Sequence, residues 1–187
     1  MVAHNSGLDD SDSVIIAKLL LDKDIDPGSN DEILNGAVGN DKLELVKLLL
    51  TYPTVNPIDS LEHSNSYKMT MLLLFDLRTD PSANNNKALK RAIRGIKLKT
   101  FQALIKDSRV DPSLKNNKLI RLAYDSHRKI RTSKGKKGRT ISTKQASANN
   151  RKQDKLAAII GILLNDKKVL KSLSEDDIIK YSSVLGG

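Results

Sequence analysis

The stretch that decides the fold reads Gly39-Asn40-Asp41-Lys42-Leu43-Glu44-Leu45-Val46-Lys47-Leu48-Leu49-Leu50, and the phrase Val55-Asn56-Pro57-Ile58 follows it. Glycine adopts a positive φ at little cost, so a turn near Gly39 is expected to end one helix before the next begins. That next helix is expected to run from Leu43 to Leu50. Proline fixes φ and lacks an amide hydrogen, so the second phrase stops the helix and starts a turn.

The same phrase and the same apolar ending recur along the chain. The phrase occurs as Ile25-Asp26-Pro27-Gly28, Val55-Asn56-Pro57-Ile58, Thr79-Asp80-Pro81-Ser82 and Val110-Asp111-Pro112-Ser113. Its Asp or Asn positions are separated by 30, 24 and 31 residues. An apolar triplet precedes each phrase: Leu19-Leu20-Leu21, Leu48-Leu49-Leu50, Leu72-Leu73-Leu74 and Ala103-Leu104-Ile105. Two signals that keep the same phase indicate an internal repeat.

Each unit predicts two short helices, and residues 80–110 show them best. The asparagines at 84–86 are expected to cap the first helix, because their side chains can accept hydrogen bonds from the unpaired amides at a helix start. That helix covers residues 87–94, and its apolar stripe consists of Ala88, Leu89, Ala92 and Ile93. A turn at Gly95 then leads into a second, more apolar helix over residues 98–105.

Counting in both directions along the chain predicts an array of such units. Full units are expected at residues 26–55, 56–79 and 80–110, and residues 13–22 form the helix of a leading half-unit. A fourth unit begins with a helix over residues 118–126, but its second helix, residues 154–164, follows only after a long polar insertion. Ser174 opens the last helix in the manner of a capping residue. Terminal units that differ from internal ones close the exposed core of an array.

Residues 39–50 resemble the inner turn and second helix of ankyrin repeats, with Val55-Asn56 at the following turn. The variant at residues 110–117, Val-Asp-Pro-Ser followed by Asn-Asn, resembles the ankyrin repeats encoded by large DNA viruses of amoebae. The usual Thr-Pro-Leu-His opening of the first helix is missing from every unit, and unit 56–79 is about six residues short. The resemblance implies an all-α solenoid of stacked helix-turn-helix repeats with atypical terminal caps and a long basic loop insertion.

The expected organisation has four segments. Residues 1–12 form a flexible acidic tail, residues 13–127 the ankyrin-like repeats, residues 128–152 a basic insertion, and residues 153–187 the final repeat helix and a C-terminal capping helix. The insertion is too poor in apolar residues to build a core, so we expect a mobile loop whose ends can be helical.

Charge is distributed unevenly beneath the formal net charge of +10. Residues 1–80 carry 6 basic and 14 acidic side chains, residues 81–127 carry 11 and 3, and residues 128–152 carry 10 and none. The first part therefore has a formal charge of −8, and the next two together have +18. Such asymmetry indicates a polyanion or an acidic partner that meets one end of the molecule.

Basic side chains in the insertion and on the helix over residues 87–94 are the candidate binding site for a polyanion or a nuclear-import receptor. The candidates are Arg128, Lys129, Arg131, Lys134, Lys136, Lys137, Arg139, Lys144, Arg91 and Arg94. Flexible cations near phosphates release counterions on binding, which predicts salt-sensitive, sequence-independent affinity. Two alternatives stay open, because the insertion can be a solvated loop that tolerates charge and the helix can present the ordinary wet face of an amphipathic helix.

Catalysis and membrane insertion have little support in the sequence. Cysteine is absent, and His4, His63 and His127 are scattered without metal-ligand spacing, so we expect no enzymatic activity, no metal and no cofactor. The apolar runs are far shorter than the roughly 18 to 20 residues that span a membrane. The polar, acidic N-terminus does not resemble a secretory signal, so we expect an intracellular protein without a membrane span.

We therefore expect a non-enzymatic macromolecular-interaction protein whose ankyrin-like repeats bind a partner protein on their concave face, since stacked units offer an extended surface. The alternative is a nucleic-acid-associated or nuclear-targeted factor that binds DNA, RNA or an acidic protein through the basic insertion and the basic helix face. The resemblance to viral repeats implies action in the cytoplasm or nucleus of a host cell, or packaging in the virus particle.

Overall fold

The fold is helical throughout the part of the chain that the computed structural model describes, residues 9–133 and 142–186. These residues form α-helices, short 3₁₀ turns and no β-strand, which confirms the predicted all-α class. The chain divides into two compact units, unit 1 (residues 1–83) and unit 2 (residues 84–187). The helices of unit 1 are α1 (Asp10–Leu21), α2 (Asp31–Gly39), α3 (Leu43–Leu50) and α4 (Tyr67–Phe75). Those of unit 2 are α5 (Ala83–Arg94, starting at the boundary), α6 (Leu98–Ile105), α7 (Leu114–Ser133), α8 (Thr143–Leu164), α9 (Lys167–Ser172) and α10 (Glu175–Ser182).

A side-chain hydrogen bond closes each of the four Asp-Pro or Asn-Pro turns. In every case the Oδ1 atom accepts from the backbone amide two residues further on, at 2.8 to 3.1 Å. The four accepting residues are Asp26, Asn56, Asp80 and Asp111. Asp and Asn form such turns readily, and the proline between donor and acceptor already has the required φ. The recurring phrase is therefore one recurring turn.

The helices that follow these turns bury the same positions in both units. In unit 1, α2 packs on α3, and the buried side chains are Leu34, Ala37, Val38, Val46 and Leu49. In unit 2, α5 and α6 bury five side chains, each 55 residues after its counterpart in unit 1: Leu89, Ala92, Ile93, Phe101 and Leu104. The predicted second helices over residues 43–50 and 98–105 coincide with α3 and α6.

The turns inside the helix pairs do not use glycine in the predicted way. Gly39 is the last residue of α2, and Gly95 directly follows α5. The positive φ falls instead on Asp41 (59°) and Ile96 (53°). In both turns the amide of the next residue donates to the carbonyl five positions back, at 3.0 and 2.9 Å. A hydrogen bond of this span is typical of a helix that ends with one left-handed residue. That residue is Asp41 after α2 and Ile96 after α5. The prediction that Gly39 and Gly95 supply the positive φ is wrong.

Unit 56–79 differs from the predicted pair of helices. A 3₁₀ turn, Ser60–His63, stands in place of the first helix, and only α4 is a full helix. Ser60 and Leu61 are buried in this turn, and Ser60 Oγ donates to Asn35 Oδ1 on α2 at 3.0 Å. The 24-residue spacing leaves room for the turn but not for a second α-helix.

The basic insertion is helical at both of its described ends. Helix α7 continues to Ser133 rather than ending at residue 126, and α8 begins at Thr143 rather than at residue 154. Residues 134–141 of the predicted loop lie outside the described part of the chain. Its described ends, residues 128–133 and 143–152, are helical, as the prediction allowed. Lys, Arg, Gln and Ala are good helix formers, and α7 packs along α8, which extends both helices beyond their apolar stripes.

Both chain ends also differ in detail from the prediction. Helix α1 begins at Asp10, inside the predicted tail, and Asp9 caps it by accepting from the Asp12 amide at 2.7 Å. The short helix α9 was not predicted. Ser174 caps α10 as predicted, accepting from the Asp177 amide at 3.2 Å.

An arginine that the sequence analysis did not single out binds four partners in unit 1. Arg78 forms a two-point ion pair with Asp76, at 2.6 and 3.0 Å. Its guanidinium also donates to the backbone carbonyls of Leu50 (2.8 Å), Val55 (3.1 Å) and Tyr52 (3.2 Å). The carbonyl of Leu50, the last residue of α3, has no acceptor role within the helix, and Arg78 supplies its donor together with donors for two carbonyls of the following turn. This side chain therefore joins the end of α3 to the turn after α4.

The same arginine–aspartate pair recurs in unit 2. Arg109 donates to Asp107 at 2.7 and 2.9 Å, and the two arginines are 31 residues apart. Hydrogen bonds from Arg78 and Arg109 lower the pKa of Asp76 and Asp107 below the ordinary aspartate value. The repeated Asp-x-Arg spacing was the available sequence signal for this feature.

Gly28 permits a close approach that no other residue allows. A Cβ atom at this position would lie 2.2 Å from the backbone oxygen of Thr54. We expect Gly28→Ala to lower the free energy of unfolding by about 1 to 3 kcal/mol, because backbone would have to move. Gly36→Ala is the matched control, since nothing lies within 4 Å of its Cβ position in α2. It should raise stability by about 0.5 to 1 kcal/mol in the same denaturant titration.

Replacing Arg78 should weaken the fold and change its acid sensitivity. A lowered aspartate pKa stabilises the folded state above the unfolded value of about 3.9, and this contribution is lost as pH falls through the folded pKa. We expect Arg78→Ala to lower the free energy of unfolding by about 2 kcal/mol at pH 7. The variant should also lose less stability than the parent protein below about pH 4.

Denaturant titrations at neutral and acid pH measure both effects of the Arg78 substitution. Lys68→Ala, an exposed change on α4, is the control and should leave the pH dependence intact. An Arg78→Ala curve parallel to that of the parent protein would contradict the assignment of the Asp76 pKa to Arg78.

Candidate polyanion-binding face

The candidate residues from the sequence fall on three helices of unit 2. Arg91 and Arg94 are exposed on α5, Arg128, Lys129 and Arg131 are exposed on α7, and Lys144 is exposed on α8. Lys134, Lys136, Lys137 and Arg139 lie outside the described residues. The structure therefore places six of the ten candidates, all of them at the surface.

A second set of cations emerges from the repeat itself. Lys87 and Lys90 on α5 recur 31 residues later as Lys118 and Arg121 on α7. Lys115 lies three residues before Lys118, in a left-handed conformation (φ 54°). The name cationic face is used below for the set Lys87, Lys90, Arg94, Lys115, Lys118 and Arg121. Lys115, Lys118 and Arg121 were missed in the sequence analysis, although the 31-residue spacing of Lys118 and Arg121 from Lys87 and Lys90 was a signal that could have revealed these two.

Corresponding positions in unit 1 do not carry this charge. Glu32 and Asn35 stand 55 residues before Lys87 and Lys90, on the first helix of a pair that buries equivalent apolar residues. Unit 1 has 6 basic and 14 acidic side chains, whereas unit 2 has 26 and 8. The cations are therefore a property of unit 2 and not a requirement of the helix pair.

Lys90 shows that the cations of α5 and α7 act on one another. Its side chain is half-buried, and its pKa is lowered first by burial and then by the positive charges of Lys118, Lys115, Arg94 and Lys87. Two of these four charges come from α7 and two from α5 itself. Like charges at i,i+3 and i,i+4 on a helix each cost a few tenths of a kcal/mol. Unit 2 therefore folds against the repulsion within this face.

Two buried asparagines hold the starts of α5 and α7. Asn86 and Asn117 are each 2% exposed, and both adopt a left-handed conformation with φ of 59° and 57°. Asn86 Nδ2 donates to the carbonyl of Asp111 at 2.6 Å. Asn117 Nδ2 donates to the carbonyl of Ser172 at 3.3 Å and accepts from the Ser172 hydroxyl at 3.0 Å. These bonds fix the backbone from which Lys87 and Lys118 project.

The predicted capping role of the asparagines at 84–86 is therefore corrected. All three adopt left-handed angles, with φ between 51° and 59°, before regular helix begins at Lys87. Asparagine tolerates this region better than most residues, because its short side chain can hydrogen-bond locally. Before α2 the equivalent Asn30 is extended and caps the helix by accepting from the Glu32 amide at 2.8 Å, so the left-handed turn is a feature of unit 2.

A shallow groove runs along the α7 part of the cationic face. It has a volume of about 410 Å³ and is lined by Lys115, Lys118, Arg121, Leu122 and Asp125. Lys118, Arg121 and Asp125 follow one another at helical spacing along one side of α7, and Lys115 lies in the left-handed turn that precedes them (φ 54°).

Further cations extend along α7 and α8 past the repeat core. Exposed basic side chains at the end of α7 and the start of α8 form what is called the basic arm below: Arg128, Lys129, Arg131, Lys144, Arg151 and Lys152. Helical rise places Lys118 and Arg131 about 20 Å apart along α7. No acidic residue occurs between 128 and 152. The cationic face and the basic arm together offer an elongated positive surface.

Two other kinds of site were tested against the structure. Among the residues it describes, no three His, Cys, Asp or Glu side chains cluster in a way that could hold a metal ion. None of the helices within residues 9–133 and 142–186 combines the length and apolar character that crossing a membrane requires.

Comparisons with known proteins provide no family assignment. No protein-family model matches the chain, and no significant similarity to a curated protein or to a solved structure was found. The resemblance to ankyrin repeats therefore stays a prediction, and the cationic face is interpreted from its own geometry.

Neutralising the centre of the cationic face should stabilise unit 2. We expect Lys90→Gln to raise the free energy of unfolding by about 0.5 kcal/mol at pH 7, because it removes like-charge contacts. A lowered lysine pKa destabilises the folded state below that pKa. The gain should therefore disappear as pH rises through it toward the unfolded value of about 10.4.

The control for this substitution is Lys47→Gln on α3. Lys47 Nζ lies 2.7 Å from Glu44 Oε1, so this change removes an attraction of up to about 0.5 kcal/mol and should lower stability. Denaturant titrations of both variants at neutral and alkaline pH provide the measurement. A less stable Lys90→Gln protein at pH 7 would contradict the repulsion described here.

Proposed function

We propose that this chain is a non-enzymatic, ankyrin-like repeat protein that binds the phosphate backbone of nucleic acid through the cationic face of unit 2. The observation that carries the proposal is the groove of about 410 Å³ that Lys115, Lys118 and Arg121 line, and the charges of Lys118 and Lys115 also reach Lys90 on α5. A surface that concentrates positive charge attracts a partner of opposite charge. The ankyrin-like assignment is supported by the recurring turn and by the equivalent buried positions of the helix pairs.

A polymer suits this surface better than a small anion. Cations of α5 recur on α7 at the repeat spacing of 31 residues, and further cations follow in the basic arm. Nucleic acid presents phosphates at regular intervals, so a row of cations can contact several of them and release their counterions. The chain has only four Tyr, two Phe and no Trp, which argues against recognition by base stacking. Binding should therefore be salt-sensitive and largely independent of base sequence.

A partner protein is the second candidate, and unit 1 offers a specific surface for it. Phe75 and Leu77 are 78% and 88% exposed, the most exposed of the large apolar side chains described. They flank Asp76, whose ion pair with Arg78 holds this turn in place. Exposed apolar side chains on a rigid turn are suited to a protein partner. Such binding would use unit 1 and could coexist with nucleic acid on unit 2.

Nucleic-acid binding is tested by fluorescence anisotropy with labelled duplex DNA and single-stranded RNA. We expect affinity to fall steeply between about 50 and 200 mM salt. The triple variant Lys90→Gln, Lys118→Gln, Arg121→Gln should weaken binding and reduce the slope of log K against log salt by roughly 2 to 3 for duplex DNA. Circular dichroism checks that the variant stays folded.

A matched variant separates the cationic face from general charge. Lys18→Gln, Lys47→Gln and Lys68→Gln remove three exposed cations of unit 1 and should leave the salt slope unchanged. Equal losses for the two triple variants would refute a localised site. Binding to poly-glutamate but not to DNA or RNA would assign an acidic protein partner instead. Absence of any binding at low salt would end the proposal.

A further inference from the structure

Helix α1 presents an apolar face that nothing in the described chain covers. Its half-buried residues Val14, Ala17 and Leu21 follow helical spacing on the side that packs against α3. Asp10 fixes this packing, because its carboxylate accepts from the amides of Glu44 (2.9 Å) and Leu45 (3.2 Å) at the start of α3. The orientation of α1 on unit 1 is therefore defined.

The other side of α1 carries four large aliphatic residues in one stripe. Their exposed fractions are 57% for Ile15, 41% for Ile16, 61% for Leu19 and 48% for Leu20. Residues at these positions, i, i+1, i+4 and i+5, share one face of a helix. Not one side chain of α1 is fully buried, although half of its twelve residues are Val, Ile or Leu. A contiguous apolar stripe of this kind usually marks an interface.

Charges at the two ends of this stripe are of opposite sign. Asp12 lies one turn before Ile15 and Ile16, and Lys23 lies one turn after Leu19 and Leu20. Both charged side chains are exposed. The four aliphatic residues of the stripe are thus preceded by an acidic residue on α1 and followed by a basic residue in the turn after it.

We propose that α1 is the contact through which two copies of this chain form an antiparallel, twofold-symmetric dimer. A twofold axis between Ala17 and Lys18 would place Asp12 opposite Lys23 of the other copy at both ends. The same axis pairs Ile15 with Leu20 and Ile16 with Leu19.

Self-complementarity is the reason to assign a second copy rather than an unrelated partner. The axis that matches the ends of the stripe also matches its centre, where it sets Lys18 opposite Ala17. Asp22, the residue that ends α1, faces Ser13. Twofold contacts of this kind, in which one surface meets itself, are the commonest in homo-oligomers.

The size of the contact predicts a weak, reversible dimer. Helix α1 has 12 residues, and four half-exposed aliphatic side chains bury less than the ~800 Å² per partner of a standard interface. We therefore expect a dissociation constant on the order of 10 to 100 µM. Each unit 1 has a formal charge of −8, so long-range repulsion must be screened. The Debye length of about 8 Å at 0.15 M salt leaves the close Asp12–Lys23 pairs in place.

Sedimentation equilibrium of the nuclease-treated full chain, at 0.15 M salt and concentrations on both sides of this range, measures the dimer directly. We expect Leu19→Asp to weaken dimerisation at least about tenfold, because it places a charge in the centre of the contact. Ile179→Asp is the control, since Ile179 is 70% exposed on α10 and should have no effect. A parent chain that stays monomeric, or a dimer that Leu19→Asp leaves intact, overturns the proposal.

A charge exchange distinguishes the dimer contact from an effect on the helix itself. Asp12→Lys alone and Lys23→Asp alone should each weaken association, whereas the double variant should restore it. Both changes oppose the helix dipole, so their effects on α1 stability would add rather than cancel. Failure of the double variant to recover also overturns the proposal. Since no nucleic acid is present, either result leaves the cationic face of unit 2 to be judged separately.

Discussion

A hydrogen bond from a backbone amide to the side chain of the Asp or Asn two residues earlier is the interaction on which the rest of this fold depends. It closes the turns at Asp26, Asn56, Asp80 and Asp111, and the proline inside each turn supplies the φ that the turn requires. The apolar residues that follow then reach equivalent buried positions, although the helices between the turns differ in length.

The exposed positions of the helix pairs differ in charge between the two units, whereas the buried positions keep similar apolar side chains. The helix pairs α2–α3 and α5–α6 bury nearly the same kinds of side chain, because close packing tolerates little change in volume. Their exposed positions have no such constraint, and Glu32 in one unit corresponds to Lys87 in the other. One structural repeat thus carries an acidic surface in unit 1 and a basic one in unit 2. The cost of concentrating positive charge around Lys90 is small beside the burial that holds the repeat together.

The two surfaces proposed to bind partners rely on different forces. The α1 stripe would associate by removing aliphatic side chains from water, and its end charges would choose the antiparallel arrangement. The cationic face would bind through long-range attraction and counterion release. If both operate, a dimer carries two cationic faces on one particle. A long polyanion that engages both would then be retained more strongly than by either face alone, because the second contact forms at high effective concentration.

The amino-acid sequence by itself determined the helical class, the phase of the repeat, and the bounds of α3 and α6, because each rests on local signals such as Asp-Pro turns and apolar spacing. It also located much of the positive charge. Tertiary structure decided the rest. The pairing of Arg78 with carbonyls of α3, the side-chain bonds of Asn86 and Asn117, and the continuation of α7 and α8 into the basic segment all join residues distant in sequence. Likewise, α5 and α7 had to be folded before Lys115 and Lys118 could act on Lys90. Local preference sets where a helix or turn forms, whereas the partners of a side chain depend on which elements the completed core brings into contact.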